Sequence, residues 1–84
     1  MIELIEITNV NEFQPGVYYA LKSTNENGYP DYYTAKFIES DTLKNNDDYT
    51  FLRFNNVSKE RWGRTELYIR FTPLISRFYK IVNP

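Results

Sequence analysis

The side chains best suited to chemistry in this chain are aromatic rings and basic groups that alternate along predicted strands. Among 84 residues there are 8 Tyr, 6 Phe and 1 Trp, while Cys and His are absent. Rings offer flat apolar surfaces for stacking, and Arg and Lys offer positive charge and hydrogen-bond donors. Catalysis would have to rely on carboxylates, Tyr, Lys or Ser. We therefore expect a binding protein and not an enzyme.

Alternation along the strands separates the side chains into two faces. The candidate contact residues on the polar face are Tyr18, Lys36, Arg53, Tyr68 and Arg70. The same face is predicted to carry Lys22, Tyr32, Thr34, Tyr49, Phe51, Phe78 and Lys80, and no acidic residue. The net charge of −1 would then conceal a positive aromatic face with acids at its periphery.

Two interpretations of this face remain open. Rings and cations together could contact an acidic protein surface, stack the bases of single-stranded nucleic acid or attract the phosphate of a nucleotide. Alternatively, the face could be solvated scaffold in which Lys and Arg stems cover exposed tyrosines. The low net charge argues against tight nonspecific binding of duplex nucleic acid.

A second candidate is the segment Arg61-Trp62-Gly63-Arg64, which holds the only Trp between two arginines. Trp and Arg are enriched at the energetic centres of protein interfaces, so Arg61, Trp62 and Arg64 are candidate contact residues. The alternative is that Trp62 folds back over one end of the small core.

The acidic residues predict neither a catalytic pair nor a metal site. Asp47 and Asp48 are adjacent, so on a strand their side chains would point to opposite faces. The segment 41–48 lacks the central Gly and final Glu of a calcium-binding EF-hand loop. We predict no catalytic residue, no metal and no cofactor.

The period-two pattern of β-branched and aromatic residues predicts strands at 17–23, 32–40, 48–57, 65–72 and 78–82. A first strand is predicted at 2–8, with a bulge between Leu4 and Ile5. The connections predicted are a capping box from Asn9 to Glu12, turns at Pro15-Gly16 and Asn27-Gly28, a polar loop over 42–47 and a helical turn over 58–62. The predicted core face comprises Val17, Tyr19, Leu21, Ala35, Phe37, Leu52, Phe54, Leu67, Ile69, Phe71, Tyr79 and Ile81.

These elements predict a mainly β protein in which residues 1–84 form a single β domain. Short consecutive strands favour either a small antiparallel meander or an SH3-like barrel of five to six strands, with one or two short helical turns. The stretches Tyr32–Ile38 and Tyr49–Asn56 resemble SH3-like and Tudor-type barrels. Tudor domains often have an acidic turn where this chain has Asn55-Asn56, so the resemblance implies the barrel and not a methylated ligand.

Composition also bears on origin and partner. Asn, Ile, Lys, Tyr and Phe, whose codons are AT-rich, are abundant, which suggests a low-GC bacterial or phage genome. The first residues lack a basic segment and no long apolar run follows, so we expect a cytoplasmic protein without a membrane partner. The expected function is that of a phage- or mobile-element-encoded inhibitor or adaptor that binds a host enzyme or immune complex, as a monomer or homodimer. The alternative is a protein that sequesters a nucleotide or single-stranded nucleic acid.

Overall fold

The computed structural model describes residues 2–24, 27–28, 30–44, 48–58, 65–71 and 77–83. It is mainly β, as predicted, with six antiparallel strands in one sheet. The strands are β1 (Glu3–Glu6), β2 (Tyr18–Thr24), β3 (Pro30–Lys44), β4 (Asp48–Asn55), β5 (Leu67–Phe71) and β6 (Phe78–Val82), and a short 3-10 turn spans Val10–Glu12.

The strand order is β1-β6-β2-β3-β4-β5. Strands β2 to β5 form the predicted meander, but β6 returns to lie between β1 and β2. The expectation that each strand would neighbour the next is therefore wrong for two pairs, β1 with β2 and β5 with β6. Of the two predicted architectures, the structure is the open, meander-like sheet. In the described part of the chain, β1 and β5 are its edges.

Strong curling of the sheet explains how β6 can follow β5 and still pair with β2. The rings of Phe71 in β5 and Phe78 in β6 have centroids 5.8 Å apart. In a flat sheet these strands would be about 19 Å apart, because neighbouring strands are separated by about 4.8 Å. The sheet therefore wraps around its own aromatic side chains without closing.

The core lies on the concave side, and Phe13 fills its centre. The buried cluster contains Ile7, Phe13, Tyr19, Leu21, Tyr33, Ala35, Phe37, Leu52, Phe54, Val57, Phe71 and Phe78, with Val10, Leu67 and Ile69 packed against it. Five of these were not predicted on the core face: Ile7, Phe13, Tyr33, Val57 and Phe78. Phe13 reaches the core from outside the sheet. Small open sheets need such a residue because their own strands leave one side of the core uncovered.

The predicted core face is wrong at Val17 and in β6. Val17 is 41% exposed, whereas Phe78 is only 1% exposed. Phe78 pairs with Leu21 and so lies on the core side, while Tyr79 pairs with Ala20 on the opposite side. The alternation of side chains within β6 was predicted correctly, but the residues assigned to the core side were the wrong ones. Which side each residue of β6 faces is determined by its register with β2.

The local signals at the ends of elements are largely confirmed. Asn9 and Glu12 form the predicted capping box around the 3-10 turn, and Gly16 and Gly28 adopt the positive φ angles of 84° and 82° that their turns require. The bulge expected between Leu4 and Ile5 is wrong, since β1 pairs with β6 in continuous register. The helical turn predicted over 58–62 falls mostly outside the described residues.

Strand β3 differs most from prediction, because it continues to Lys44 where a loop was expected from position 42. A register shift between Phe37 and Glu39 marks a bulge at Ile38. Each bulge adds one residue and reverses the alternation that follows it. Glu39 and Asp41 are thereby turned to the outer, convex face of the sheet.

Candidate functional site

The described outer face has one dense group of polar and aromatic side chains, which we call the outer-face cluster. Its members are Glu39, Asp41, Phe51, Arg53, Tyr68 and Arg70. Register places them in two rows across β3, β4 and β5. Glu39, Arg53 and Tyr68 form one row, and Asp41, Phe51 and Arg70 form the other.

An ion pair anchors the first row. Arg53 Nη1 donates to Glu39 Oε1 at 3.0 Å, and the two side chains are 52% and 58% exposed. The pair is open to solvent, so its expected contribution to folding is small, about 0–1 kcal/mol. Its main consequence is to hold the planar guanidinium in place on the surface.

A stacked pair of rings joins the two rows. Phe51 and Tyr68 have centroids 5.0 Å apart with an angle of 10° between planes. The Tyr68 hydroxyl donates to Asp41 Oδ2 at 3.4 Å, and Tyr68 remains 53% exposed. The Tyr68 ring is thus presented to solvent, with one side stacked on Phe51 and its hydroxyl bonded to Asp41.

The surroundings of Tyr68 favour its neutral form. Partial desolvation, followed by the nearby Asp41 carboxylate and its hydrogen bond, raises the pKa of the Tyr68 phenol above 10.0. The shift therefore extends the alkaline pH range in which the hydroxyl stays protonated and can donate to Asp41.

The prediction of a positive face without acids is wrong. Glu39 and Asp41 lie among Arg53 and Arg70, because the bulge at Ile38 and the extension of β3 place them there. Cations and carboxylates are consequently matched in number within the cluster.

The remaining predicted contact residues lie beside this cluster or elsewhere. Tyr18 and Lys36 face each other on the outer side of β2 and β3, and the Tyr18 hydroxyl accepts a hydrogen bond from Asn56 Nδ2 at 3.2 Å. Tyr18 is 46% exposed and extends the aromatic surface. Lys22 and Tyr32 pair farther along the same face, and Tyr32 lies 6.2 Å from the ring of Tyr79.

Lys80 does not belong to this face, because it pairs with Tyr19 at the rim of the core side. Its Nζ lies 3.0 Å from Glu12 Oε1. Hydrogen bonding to Lys80, with a further bond from the Asn9 backbone, lowers the pKa of the Glu12 carboxyl from 4.5. Arg61, Trp62 and Arg64 lie outside the described residues, and their predicted role stays a prediction.

A shallow cavity of about 250 Å³ adjoins the Glu12–Lys80 pair and is lined also by Val17, Tyr18, Ile81 and Val82. Cavities that bind small ligands usually measure about 300–1,000 Å³ and enclose most of the ligand. The amine of Lys80, which could otherwise attract a phosphate, is already paired with Glu12.

Comparison of the chain with protein-family models, with curated proteins and with solved structures finds no match. In the described part of the chain, no helical segment has the length and apolar character required to cross a membrane.

Proposed function

We propose that this protein is a small non-enzymatic module that binds another protein through the outer-face cluster, acting as an inhibitor or adaptor. The observation that carries the proposal is the exposed Tyr68 ring, stacked on Phe51 and flanked by the Arg53–Glu39 pair. Tyr and Arg are the residues whose truncation most often weakens protein interfaces. Both are held by neighbours, which lowers the entropy lost when a partner orders them.

The charge pattern favours a protein partner over a polyanion. Binding of nucleic acid gains most of its free energy when cations neutralise phosphates. Arg53 is bonded to Glu39, and Asp41 lies in the row that contains Arg70, so an approaching phosphate would meet carboxylates. A protein surface with its own mixed charges would complement the cluster instead. A nucleotide or single-stranded nucleic acid is therefore the less favoured partner.

The biological setting in this proposal rests on composition. The abundance of residues with AT-rich codons supports a phage or mobile element of a low-GC bacterium as the source. The partner would then be a host enzyme or immune complex in the cytoplasm.

The test uses the immobilised protein as bait in a low-GC bacterial lysate, with affinities then measured for the purified partner. The double variant Arg53→Ser, Arg70→Ser should keep the free energy of unfolding within about 0.5 kcal/mol, as surface substitutions usually do. It should lose binding, because Ser cannot replace the planar guanidinium. The association rate of the wild-type protein should fall as the salt concentration rises. Dissolved ions screen exposed charges beyond about 8–10 Å at physiological salt and beyond shorter distances at higher salt, which weakens the attraction that guides the encounter.

Lys80→Ser provides the matched control. It breaks an ion pair of the same length, 3.0 Å, but away from the outer-face cluster, so it should bind normally. Equal affinity of the folded double variant and the wild type would contradict the proposal. Thermal stabilisation by a nucleotide or oligonucleotide alone, in the absence of protein partner, would favour the alternative.

A further inference from the structure

Strand β1 is an edge strand with an unusual concentration of exposed aliphatic side chains. Ile2, Leu4 and Ile5 are 64%, 44% and 48% exposed, and β1 ends the strand order of the described sheet. An exposed edge presents unpaired N–H and C=O groups and can accept a further strand. Natural proteins usually avoid combining such an edge with apolar side chains.

Hydrogen bonding to β6 determines which β1 residues direct their backbone groups outward. Lys22 N donates to Arg77 O, and Ile7 N donates to Phe78 O, both at 2.9 Å. In an antiparallel ladder the residues of a strand bond alternately to its two neighbours. Arg77, Tyr79 and Ile81 therefore face β2, while Phe78, Lys80 and Val82 face β1.

The partners of Lys80 and Val82 in β1 are Ile5 and Glu3. These two residues use their backbone groups for β6. Leu4 and Glu6 must then direct their N–H and C=O groups away from the sheet, at the free edge. A new antiparallel strand would form its hydrogen-bonded pairs with these two residues.

We propose that β1 pairs antiparallel with β1 of a second copy, so that two sheets join about a two-fold axis at Leu4. In this register Leu4 faces Leu4 of the other copy, Glu3 faces Ile5, and Glu6 faces Ile2. Every carboxylate lies opposite an aliphatic side chain. The inference is independent of the proposed partner-binding role of the outer-face cluster.

The charges of β1 select this register over its alternatives. A shift that centres the pair on Glu3 would oppose Glu3 to Glu3, and one centred on Glu6 would oppose Glu6 to Glu6. Like charges placed directly opposite each other in a sheet are destabilising. A shift centred on Ile5 would place Glu3 opposite Ile7, which is already fully buried. The Leu4-centred register pairs residues 2–6 completely and is free of these conflicts.

The joined sheet would also continue an apolar row on the outer face. Leu4 pairs with Ile81, and Ile81 lines the same shallow cavity as Tyr18, which is 46% exposed. In the dimer this row meets its symmetry mate at Leu4. The carboxylates that come closest in the dimer are Glu3 of one copy and Glu3 of the other, which are diagonal neighbours on the same face of the sheet, about 7–8 Å apart. Salt should screen them and tighten the dimer, the opposite of its effect on association through the outer-face cluster.

Sedimentation of the purified protein at high micromolar concentration tests the inference directly. We expect a species of twice the 10.1 kDa chain mass. Leu4→Pro should convert it to a monomer with an unchanged far-UV spectrum, because Pro is tolerated at edge positions whose N–H faces solvent. Ile5→Pro is the matched control, since it removes an N–H bonded to β6 and should lower the melting temperature. Leu4→Lys should also give a folded monomer, by placing two charges at the axis.

A cross-linking experiment fixes the register. The chain contains no Cys, so Leu4→Cys introduces a single thiol per copy that a short bismaleimide should join in high yield. Tyr68→Cys, at a somewhat more exposed position on β5 (53% against 44% for Leu4), should not cross-link. A wild-type monomer, a dimer that persists in the folded Leu4→Pro and Leu4→Lys variants, or preferential cross-linking at position 68 would each overturn the inference.

Discussion

The removal of the Phe13 ring is the most informative test of how this small domain holds together. Phe13 is 6% exposed and follows the 3-10 turn, outside the sheet. Its ring lies 4.9 Å from Tyr19, 5.1 Å from Phe37 and 5.6 Å from Phe78. It also lies 6.0 Å from both Phe54 and Phe71. The ring thus contacts residues of five strands, β2 to β6, which curl around it.

We expect Phe13→Ala to lower the free energy of unfolding by about 3–5 kcal/mol, the usual cost of removing a buried aromatic ring. Most of the ring contacts are edge-to-face, and such pairs contribute about 0.5–1.5 kcal/mol beyond burial. The cost should therefore lie near the upper end of the range. A domain of 84 residues has a total stability of roughly 4–13 kcal/mol, so a loss near 5 kcal/mol would remove between about two fifths and all of it.

Urea unfolding followed by far-UV circular dichroism measures the effect. Phe51→Ala is the matched control, because its ring has the same size but is half-buried on the outer face with Tyr68 stacked on it. We expect that control to cost about 1–2 kcal/mol, from partial burial and one stacked pair. A Phe13→Ala cost equal to or below that of Phe51→Ala, with an unchanged denaturant dependence, would refute the central role of Phe13.

Two further predictions concern titration. The pKa of Glu12 is lowered from 4.5 by Lys80 and the Asn9 backbone, so the stability that ionised Glu12 contributes should be present above about pH 4.5 and be lost as the pH falls through the lowered folded value. Between neutral and acidic pH, the melting temperature of Glu12→Gln should therefore fall less than that of the wild type. Parallel curves of melting temperature against pH would contradict this. The pKa of Tyr68 is raised above 10.0 by desolvation first and by Asp41 second, so Asp41→Asn should lower this pKa part of the way towards 10.0. A titration of tyrosinate absorbance measures it, with the signal of Tyr68 isolated by subtracting the curve of Tyr68→Phe. An unchanged pKa in Asp41→Asn would show that Asp41 exerts no influence.

Residue type and local spacing were sufficient to predict most strands, the capping box of Asn9 and Glu12 and the turns at Gly16 and Gly28. Each depends on neighbours in the chain: alternation defines a strand, side-chain oxygens cap the first turn, and glycine permits positive φ. The outer position of Arg53 and Tyr68 followed from alternation within β4 and β5. No comparable local signal distinguishes Phe13 from other phenylalanines in loops.

The composition of the candidate site could not be predicted in the same way. The bulge at Ile38 turns Glu39 and Asp41 outward, so the outer-face cluster contains as many carboxylates as cations. A bulge is a property of two paired strands, because it exists only where two residues of one strand oppose one residue of the other. The sequence of β3 alone is compatible both with a regular strand and with a strand that contains the bulge.

By itself, the sequence determined the class of structure and the kinds of groups available for binding: antiparallel strands, abundant rings and few catalytic side chains. The tertiary structure decided the place of β6 between β1 and β2, the inward direction of Phe78, the central position of Phe13 and the exposure of the aliphatic edge at Leu4. These features share one physical cause. Register and strand order arise from contacts between residues far apart in the chain, where burial of a few large rings outweighs local preference.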